Sequence, residues 1–230
     1  MDSPDSTADK AELHAGEASL RPHRRIVLLT GPSGAGTSRL AARLSVRYGW
    51  PVVRLDDFYR DGDDPAMPRS KELGIIDWDD PRSWKADDAV AALEALCHAG
   101  RVEVPTYDIP QNRATGTAVL DRGDAPAVVA EGVFAAVIID ALRERGLLAD
   151  AVVLHRRPWK NFVRRFARDL KERRKPPLTL WQRGRLLMAA EPGIIADACQ
   201  HGCRRVDARE LAVLLRDLQS DATAARRGTS

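Results

Sequence analysis

Gly31, Pro32, Ser33, Gly34, Ala35, Gly36, Thr37 and Ser38 stand between a short apolar run and a helical repeat. Their spacing is that of a loop built to hold phosphate, G-x4-G-K-[ST]. Glycines let successive backbone N–H groups converge on an anion, and the helix that follows adds the positive end of its dipole. Ser38 takes the position whose hydroxyl ligates magnesium. Position 37 departs from the pattern. A lysine there neutralises charge between the β- and γ-phosphates, and this chain has Thr37 instead. An anion cradle is still expected, but losing one cation costs phosphoryl transfer roughly 10²-fold or more in rate. Arg39 follows and is grouped with the loop, although on a helix its side chain projects away from the lysine's place. An arginine from a distant segment is the better substitute.

Three carboxylates stand at the ends of apolar runs. Asp56 and Asp57 follow residues 51–55, and Glu131 follows residues 127–130. The C-terminal ends of parallel strands are where α/β sheets hold ligands. A carboxylate ending a buried strand is costly unless something uses its charge. An Asp-Asp pair at a strand end also suits a turn or a helix cap, so spacing alone leaves that pair open. Further along, Trp159, Phe162, Val163, Phe166, Ala167 and Leu170 form a helical apolar stripe. Arg164, Arg168, Lys171 and Lys175 line another face of that helix.

The elements that must position these groups read as alternating strands and helices. Residues 25–30 form a buried strand, and Leu40, Leu44 and Tyr48 mark a helix after the glycine-rich turn. Residues 51–55 form a second strand, and 60–82, rich in Asp, Pro and Gly, read as irregular structure over the site. Ser83 is placed to cap a helix with Ala86, Ala89, Val90, Leu93, Leu96 and Cys97 on its apolar face and Gly100 at its end. Residues 102–107 and 117–120 predict a small β-hairpin outside the main sheet. Strands at 127–130 and 150–155 flank a helix that runs to about Arg145. The fold class expected is α/β, a parallel-sheet P-loop NTPase fold with helices on both faces and a β-hairpin insertion on the acceptor side.

Composition sets outer bounds. With 230 residues, 44% apolar and 30% charged, the chain suits one globular domain at 23–218, with disordered tails at 1–22 and 219–230. The net charge of +3 argues against nucleic-acid binding by bulk electrostatics. The longest apolar stretch, 125–142, is broken by Glu131, Gly132 and Asp140 and is not a membrane span. No apolar signal segment opens the chain, and Cys97, Cys199 and Cys203 are odd in number. A reduced, cytoplasmic setting is expected. Cys199, His201 and Cys203 are too few for a closed zinc site.

The ordered blocks of this chain resemble the uridine kinase family over residues 25 to about 197. Leu55-Asp56-Asp57-Phe58-Tyr59 is similar to the segment in which an aspartate lies beside the attacking hydroxyl. The resemblance implies that Asp56 is the general base and a magnesium ligand, with Asp57 able to share or exchange these roles and Tyr59 beside the acceptor. Asp77-Trp78-Asp79-Asp80-Pro81 resembles the family's "NFDHP", which implies that Asp79 holds ribose hydroxyls. Val104-Pro105-Thr106-Tyr107-Asp108 resembles "IPVYDF", which implies that Tyr107 abuts the nucleobase. The family's base-reading His is missing from Gln111-Asn112-Arg113, leaving Asn112 or Arg113 to bond a pyrimidine edge. Glu131-Gly132 resembles "LEGI", which implies that Glu131 lies near metal and acceptor. The run 164–175 resembles the lid "RRxxRDxxERGR" within a lid region at 156–177. By that likeness Arg164 contacts the nucleotide, and Arg168 and Arg173 stabilise the transferring phosphoryl group.

The resemblance thus implies an ATP- or GTP-dependent, magnesium-requiring kinase of a pyrimidine nucleoside, and it allows a homo-oligomer. Kinases of pantothenate, ribulose phosphate or glycerate share the fold, so the acceptor stays open. Thr37 keeps a third reading in play, a nucleotide-binding protein with weak or no catalysis. A fourth, RNA binding by the basic helix, would show steeply salt-dependent affinity.

Overall fold

The structure is a computed structural model that describes residues 25–69, 75–171, 177–207 and 210; for residues 165, 168, 169, 171, 177–180, 182 and 183 it describes the backbone alone. The expected tails and Arg173 lie outside the described residues, and so does the Arg168 side chain. In chain order the elements are β1 (Ile26–Thr30), α1 (Thr37–Tyr48), β2 (Val52–Arg54), α2 (Ala86–Ala99), β3 (Arg101–Asp108) and β4 (Arg113–Asp121). There follow β5 (Val128–Glu131), α3 (Ile139–Glu144), β6 (Leu148–Leu154), α4 (Pro158–Lys171), α5 (Pro177–Gln200) and β7 (Arg204–Val206).

Five strands make one sheet in the order β2-β5-β1-β6-β7, and every neighbouring pair is parallel. All five β1 side chains are buried, as a strand covered on both faces requires. Alternate residues divide between two cores. Ile26 and Leu28 pack in the core that includes Val53, Leu55, Val90, Leu93 and Leu96, while Val27 and Leu29 pack with Ala41, Leu44 and Trp50. The sheet therefore has α2 and α3 on one face and α1 on the other. The antiparallel β3–β4 hairpin stands apart as its own two-stranded sheet.

Local expectations differ from the structure in three places. Ser83 does not cap α2. It ends a short 3-10 turn begun by Pro81, is fully buried and donates its hydroxyl to the Trp78 carbonyl at 3.4 Å, while Lys85 precedes the helix. The segment after Glu131 enters its helix through a 3-10 turn, Ala135–Ile138, so α3 itself is short. Strand β4 begins at Arg113, because the hairpin turn is tight enough to pair Asp108 with Arg113. Gly100 closes α2 with φ 77, the left-handed conformation that glycine adopts without penalty.

Two elements carried no sequence expectation. Helix α5 contains Gly184, Pro192 and Gly193, which mask a helical pattern. It forms because it packs on α4. A Cβ on Gly184 would stand 2.5 Å from the Phe162 ring, and Asn161 Nδ2 donates to Glu191 Oε2 at 2.9 Å with both residues buried. Strand β7 is three residues long, and its place at the sheet edge is set by pairing with β6. Among the described residues no helix is long and apolar enough to cross a membrane.

Candidate active site

The C-terminal ends of β1, β2, β5 and β6 all open on one edge of the sheet, where the site is assembled. From β1 the chain turns through Gly31 to Gly36. Ala35 N bonds the Pro32 carbonyl at 2.9 Å, which curls the loop, and Leu40 N bonds the Gly36 carbonyl at 3.0 Å, which starts α1. Gly34 and Gly36 have φ 88 and 99, conformations a Cβ would strain. No side chain caps α1 and no acidic residue lies in its first turn, so its leading N–H groups face the loop's hollow. Arg39, in that first turn, is exposed.

Across from the loop, Ser38 Oγ donates to Glu131 Oε2 at 3.0 Å. Glu131 is buried at the end of β5, and burial is the main cause that raises its pKa. Hydrogen bonds from Ser38 and Thr37 oppose that rise, while the neighbouring Asp56 charge adds to it. Asp56 comes from the 3-10 turn that follows β2, and its Oδ1 accepts from Val133 N at 3.2 Å. Burial again raises its pKa, partly offset by that hydrogen bond and by Arg54.

Asp57 is turned elsewhere. Its Oδ1 accepts from Tyr107 N at 3.4 Å and lies 3.7 Å from Arg54 Nη2, so it ties the hairpin to the strand end. Its pKa is also raised by burial. The two adjacent aspartates thus have different surroundings, one facing Glu131 and the other facing β3.

Aromatic rings wall the acceptor side. Tyr59 lies 6.0 Å from Tyr107, 5.8 Å from Trp78 and 5.9 Å from Phe134, measured between ring centroids. Burial, with the charges of Asp56 and Asp79 nearby, pushes the Tyr59 phenol far up, and Tyr107 is pushed up to about 12 by burial. Both hydroxyls stay protonated at neutral pH and donate to carbonyls, Tyr107 to Arg60 at 3.0 Å and Tyr59 to Trp78 at 3.5 Å. Asp79 is exposed beside Tyr59, in the loop that Trp78 anchors. Asn112 sits at the hairpin tip with φ 52, its carbonyl accepting from Gly62 N at 2.7 Å, and Gln111, Asn112 and Arg113 are all exposed. A cleft of about 500 Å³ opens behind this wall, between Lys85, Asp88, Glu103 and Pro105, with Asp57 and Tyr59 at its near side.

Sequence reasoning named Asp56, Asp57, Tyr59, Asp79, Tyr107, Glu131 and the loop, and these lie at one edge of the sheet. It missed Trp78, Phe134 and Val133. Trp78 lies between two aspartates already singled out and Phe134 follows Glu131-Gly132 closely, so adjacency to those residues was the available signal.

The chain matches the profile of the phosphoribulokinase / uridine kinase family over residues 26–176, which spans the loop, both carboxylate-bearing strand ends and the hairpin. The chain belongs to that family. It is 27% identical to a uridine kinase of Lactobacillus helveticus (strain DPC 4571) over 153 residues, 64% of this chain and 69% of that enzyme. Two solved structures share the fold. One is described as a "putative fructose transport system kinase" from Silicibacter sp. TM1040, with TM-score 0.56, 21% identity, and coverage of 81% of this chain and 93% of that one. The other is the YGR205w protein, with TM-score 0.53, 13% identity, and coverage of 88% and 92%. This family is one of kinases, so the geometry of this member is to be understood as that of a phosphotransferase.

Gly132 is the point in this site where the backbone closes on the Asp56 carboxylate. A Cβ there would stand 2.8 Å from Leu55 Cβ and 3.0 Å from Asp56 Oδ1. With Asp56 as the base that the resemblance implies, Gly132→Ala is expected to displace its carboxylate and lower kcat about 10-fold, since small misplacements of reacting groups are costly. Steady-state assays with a melting curve check this. An unchanged kcat in a folded variant would show that Asp56 does not need its present position.

Proposed function

We propose that this chain transfers the terminal phosphoryl group of ATP to the 5′-hydroxyl of a pyrimidine nucleoside. The observation that carries this reading is the 3.0 Å bond from Ser38 to Glu131, which joins the phosphate loop to the carboxylates beside the aromatic wall. In the proposed reaction Asp56 accepts the proton of the attacking hydroxyl. The acceptor oxygen bonds to the γ-phosphorus as the bond to the β-bridging oxygen breaks, and ADP leaves. Val133 N holds the Asp56 carboxylate in place for that transfer. Asp79 would take the ribose hydroxyls and Tyr107 with Tyr59 would flank the base.

The residues present fit magnesium as kinases hold it. Among the described residues no three Asp, Glu, His or Cys side chains form a metal-holding group, so a closed protein cage is not on offer. Magnesium in phosphoryl-transfer sites is bound by one or two protein oxygens together with substrate phosphates and water. Ser38, Glu131 and Asp56 would supply those protein oxygens. The ion, when bound, neutralises charge on the β- and γ-phosphates.

Charge narrows the acceptor. Asp56, Asp61, Asp63, Asp77 and Asp79 crowd the acceptor side, while Arg54, Arg60 and Arg82 are each held by a further aspartate, Asp57, Asp64 and Asp80. Such a site suits a neutral hydroxyl compound and opposes a sugar phosphate or a carboxylic acid. A second reading, phosphorylation of a neutral sugar, is favoured by the exposed hairpin tip, where Gln111, Asn112 and Arg113 stand in place of a base-reading His. A magnesium-dependent assay with ATP and GTP against uridine, cytidine, neutral hexoses, ribulose phosphate and glycerate tests both. Turnover of uridine or cytidine is the expected result. Turnover of a hexose alone would move the assignment to a sugar kinase, and turnover confined to anionic acceptors would overturn the charge argument. No turnover with nucleotide binding intact would leave a catalytically silent nucleotide-binding protein.

A further inference from the structure

We infer that Arg164 of α4 supplies at the phosphate loop the positive charge that Thr37 does not, so that a nucleotide's polyphosphate tail is held between the loop and a guanidinium from the lid helix. This rests on the nucleotide-binding reading above and deepens it, since it gives the place of the missing lysine to one residue on the strength of its position.

The geometry is direct. A Cβ built on Gly36 would stand 3.4 Å from Arg164 Nη2 and 3.5 Å from Nη1, with Cζ at 3.8 Å. The whole guanidinium therefore lies against the last glycine of the loop, one residue before Thr37. Gly36, at φ 99, leaves open the space that group enters. Thr37 brings no charge to this place, and it lies near enough to Glu131 to help lower that carboxylate's pKa.

Among the described residues Arg164 forms no ion pair. Its positive neighbours are Arg156 and Arg39, and burial together with those two charges pushes its pKa down. Among the described residues Arg156 Nε is buried without a hydrogen-bond partner. Three neighbouring guanidinium groups repel one another, and an anion at that spot would relieve the repulsion. The uncapped start of α1 adds N–H donors at the same place. Guanidinium pairs bidentately with phosphate oxygens, which suits it to this role.

The lid helix holds its arginine in position. One turn before Arg164, the buried Asn161–Glu191 bond fixes α4 to α5, and Phe162 lies over Gly184. Arg164 is thus presented from a braced surface.

Calorimetry with Mg·ATP, Mg·tripolyphosphate and adenosine as separate probes tests the inference on wild type, Arg164→Ala, Arg164→Lys, Thr37→Lys and the double variant Arg164→Ala/Thr37→Lys. The expected result is that Arg164→Ala weakens ATP and tripolyphosphate alike, by about 10-fold or more, and leaves adenosine unchanged. Arg164→Lys keeps most of the affinity. Thr37→Lys changes little by itself and restores most of the loss in the double variant. Unchanged tripolyphosphate binding by a folded Arg164→Ala protein would overturn the inference, whether or not ATP and adenosine weaken. Equal losses for Arg164→Ala and Arg164→Lys would also overturn it, because charge would not be what matters. Wild-type protein that binds neither ATP nor tripolyphosphate would remove the nucleotide-binding reading as well, whereas tight wild-type binding with an indifferent Arg164→Ala removes this inference alone.

Discussion

Asp56→Asn is expected to lower kcat about 10³-fold while the protein stays folded, a loss within the usual contribution of a positioned general base. The amide is the same size, and its oxygen can still accept from Val133 N. What it cannot do is take a proton from the acceptor hydroxyl. Asp57→Asn provides the contrast. Because Asp57 is engaged with Tyr107 N and Arg54, its replacement should loosen the hairpin and raise the acceptor KM, with a smaller effect on kcat. If Asp57→Asn proves the more damaging to kcat, the roles of the two aspartates are exchanged.

The pH profile carries the same argument with a definite sign. A base works when deprotonated, and burial raises the Asp56 pKa above the ordinary carboxylate value. Activity should therefore be full at pH values above that raised pKa and fall as pH drops through it. The acid limb of kcat/KM is expected to lie higher than an exposed aspartate would place it, and to vanish in Asp56→Asn. An acid limb that persists in the variant would assign it to another group.

Glu131→Gln is expected to have two opposite effects. With a charge missing beside the phosphates, kcat should fall about 10²-fold. The unliganded protein should nevertheless melt at a higher temperature. Glu131 has a raised pKa in the folded chain, caused first by burial and also by the Asp56 charge. A carboxylate whose folded pKa is raised gives stability that is fully present below its unfolded pKa and is lost as pH rises through the folded value. At neutral pH the folded protein therefore bears the cost of this buried charge. The substituted amide keeps an oxygen for the Ser38 hydroxyl and removes the charge. The gain in melting temperature should be about 2–4 °C per kcal/mol relieved. It should shrink as pH is lowered toward the ordinary carboxylate range, where wild-type Glu131 is already protonated. Mg·ATP should raise the melting point of wild type more than that of the variant. A variant that melts lower than wild type without nucleotide would mean that the charge is used in holding the apo fold.

Read residue by residue, the local chemistry was written in the chain. An apolar run meeting Gly31-Pro32-Ser33-Gly34-Ala35-Gly36 identifies a strand, a loop and a helix start, because glycines readily adopt the φ values found at Gly34 and Gly36. Asp56, Asp57 and Glu131 stand out in sequence because a charge ending a buried strand needs a reason. Helix α2 and its closing Gly100 follow from side-chain period and one backbone preference. These features depend on neighbours a few residues away. The contacts that make a site of them do not. Ser38 meets Glu131 because β5 inserts between β2 and β1, an order no local pattern encodes. The same insertion brings Val133 N to Asp56 and leaves Asp57 for the hairpin, so two identical adjacent side chains acquire different tasks. β7 and α5 were illegible for the same reason, since pairing with β6 and packing on α4 outweigh weak or contrary propensities. Sequence determined which residues can do chemistry, through the energetics of single backbone and side-chain choices. Tertiary structure decided which of them face one another, because strand order and helix packing are set by the joint burial of segments far apart in the chain.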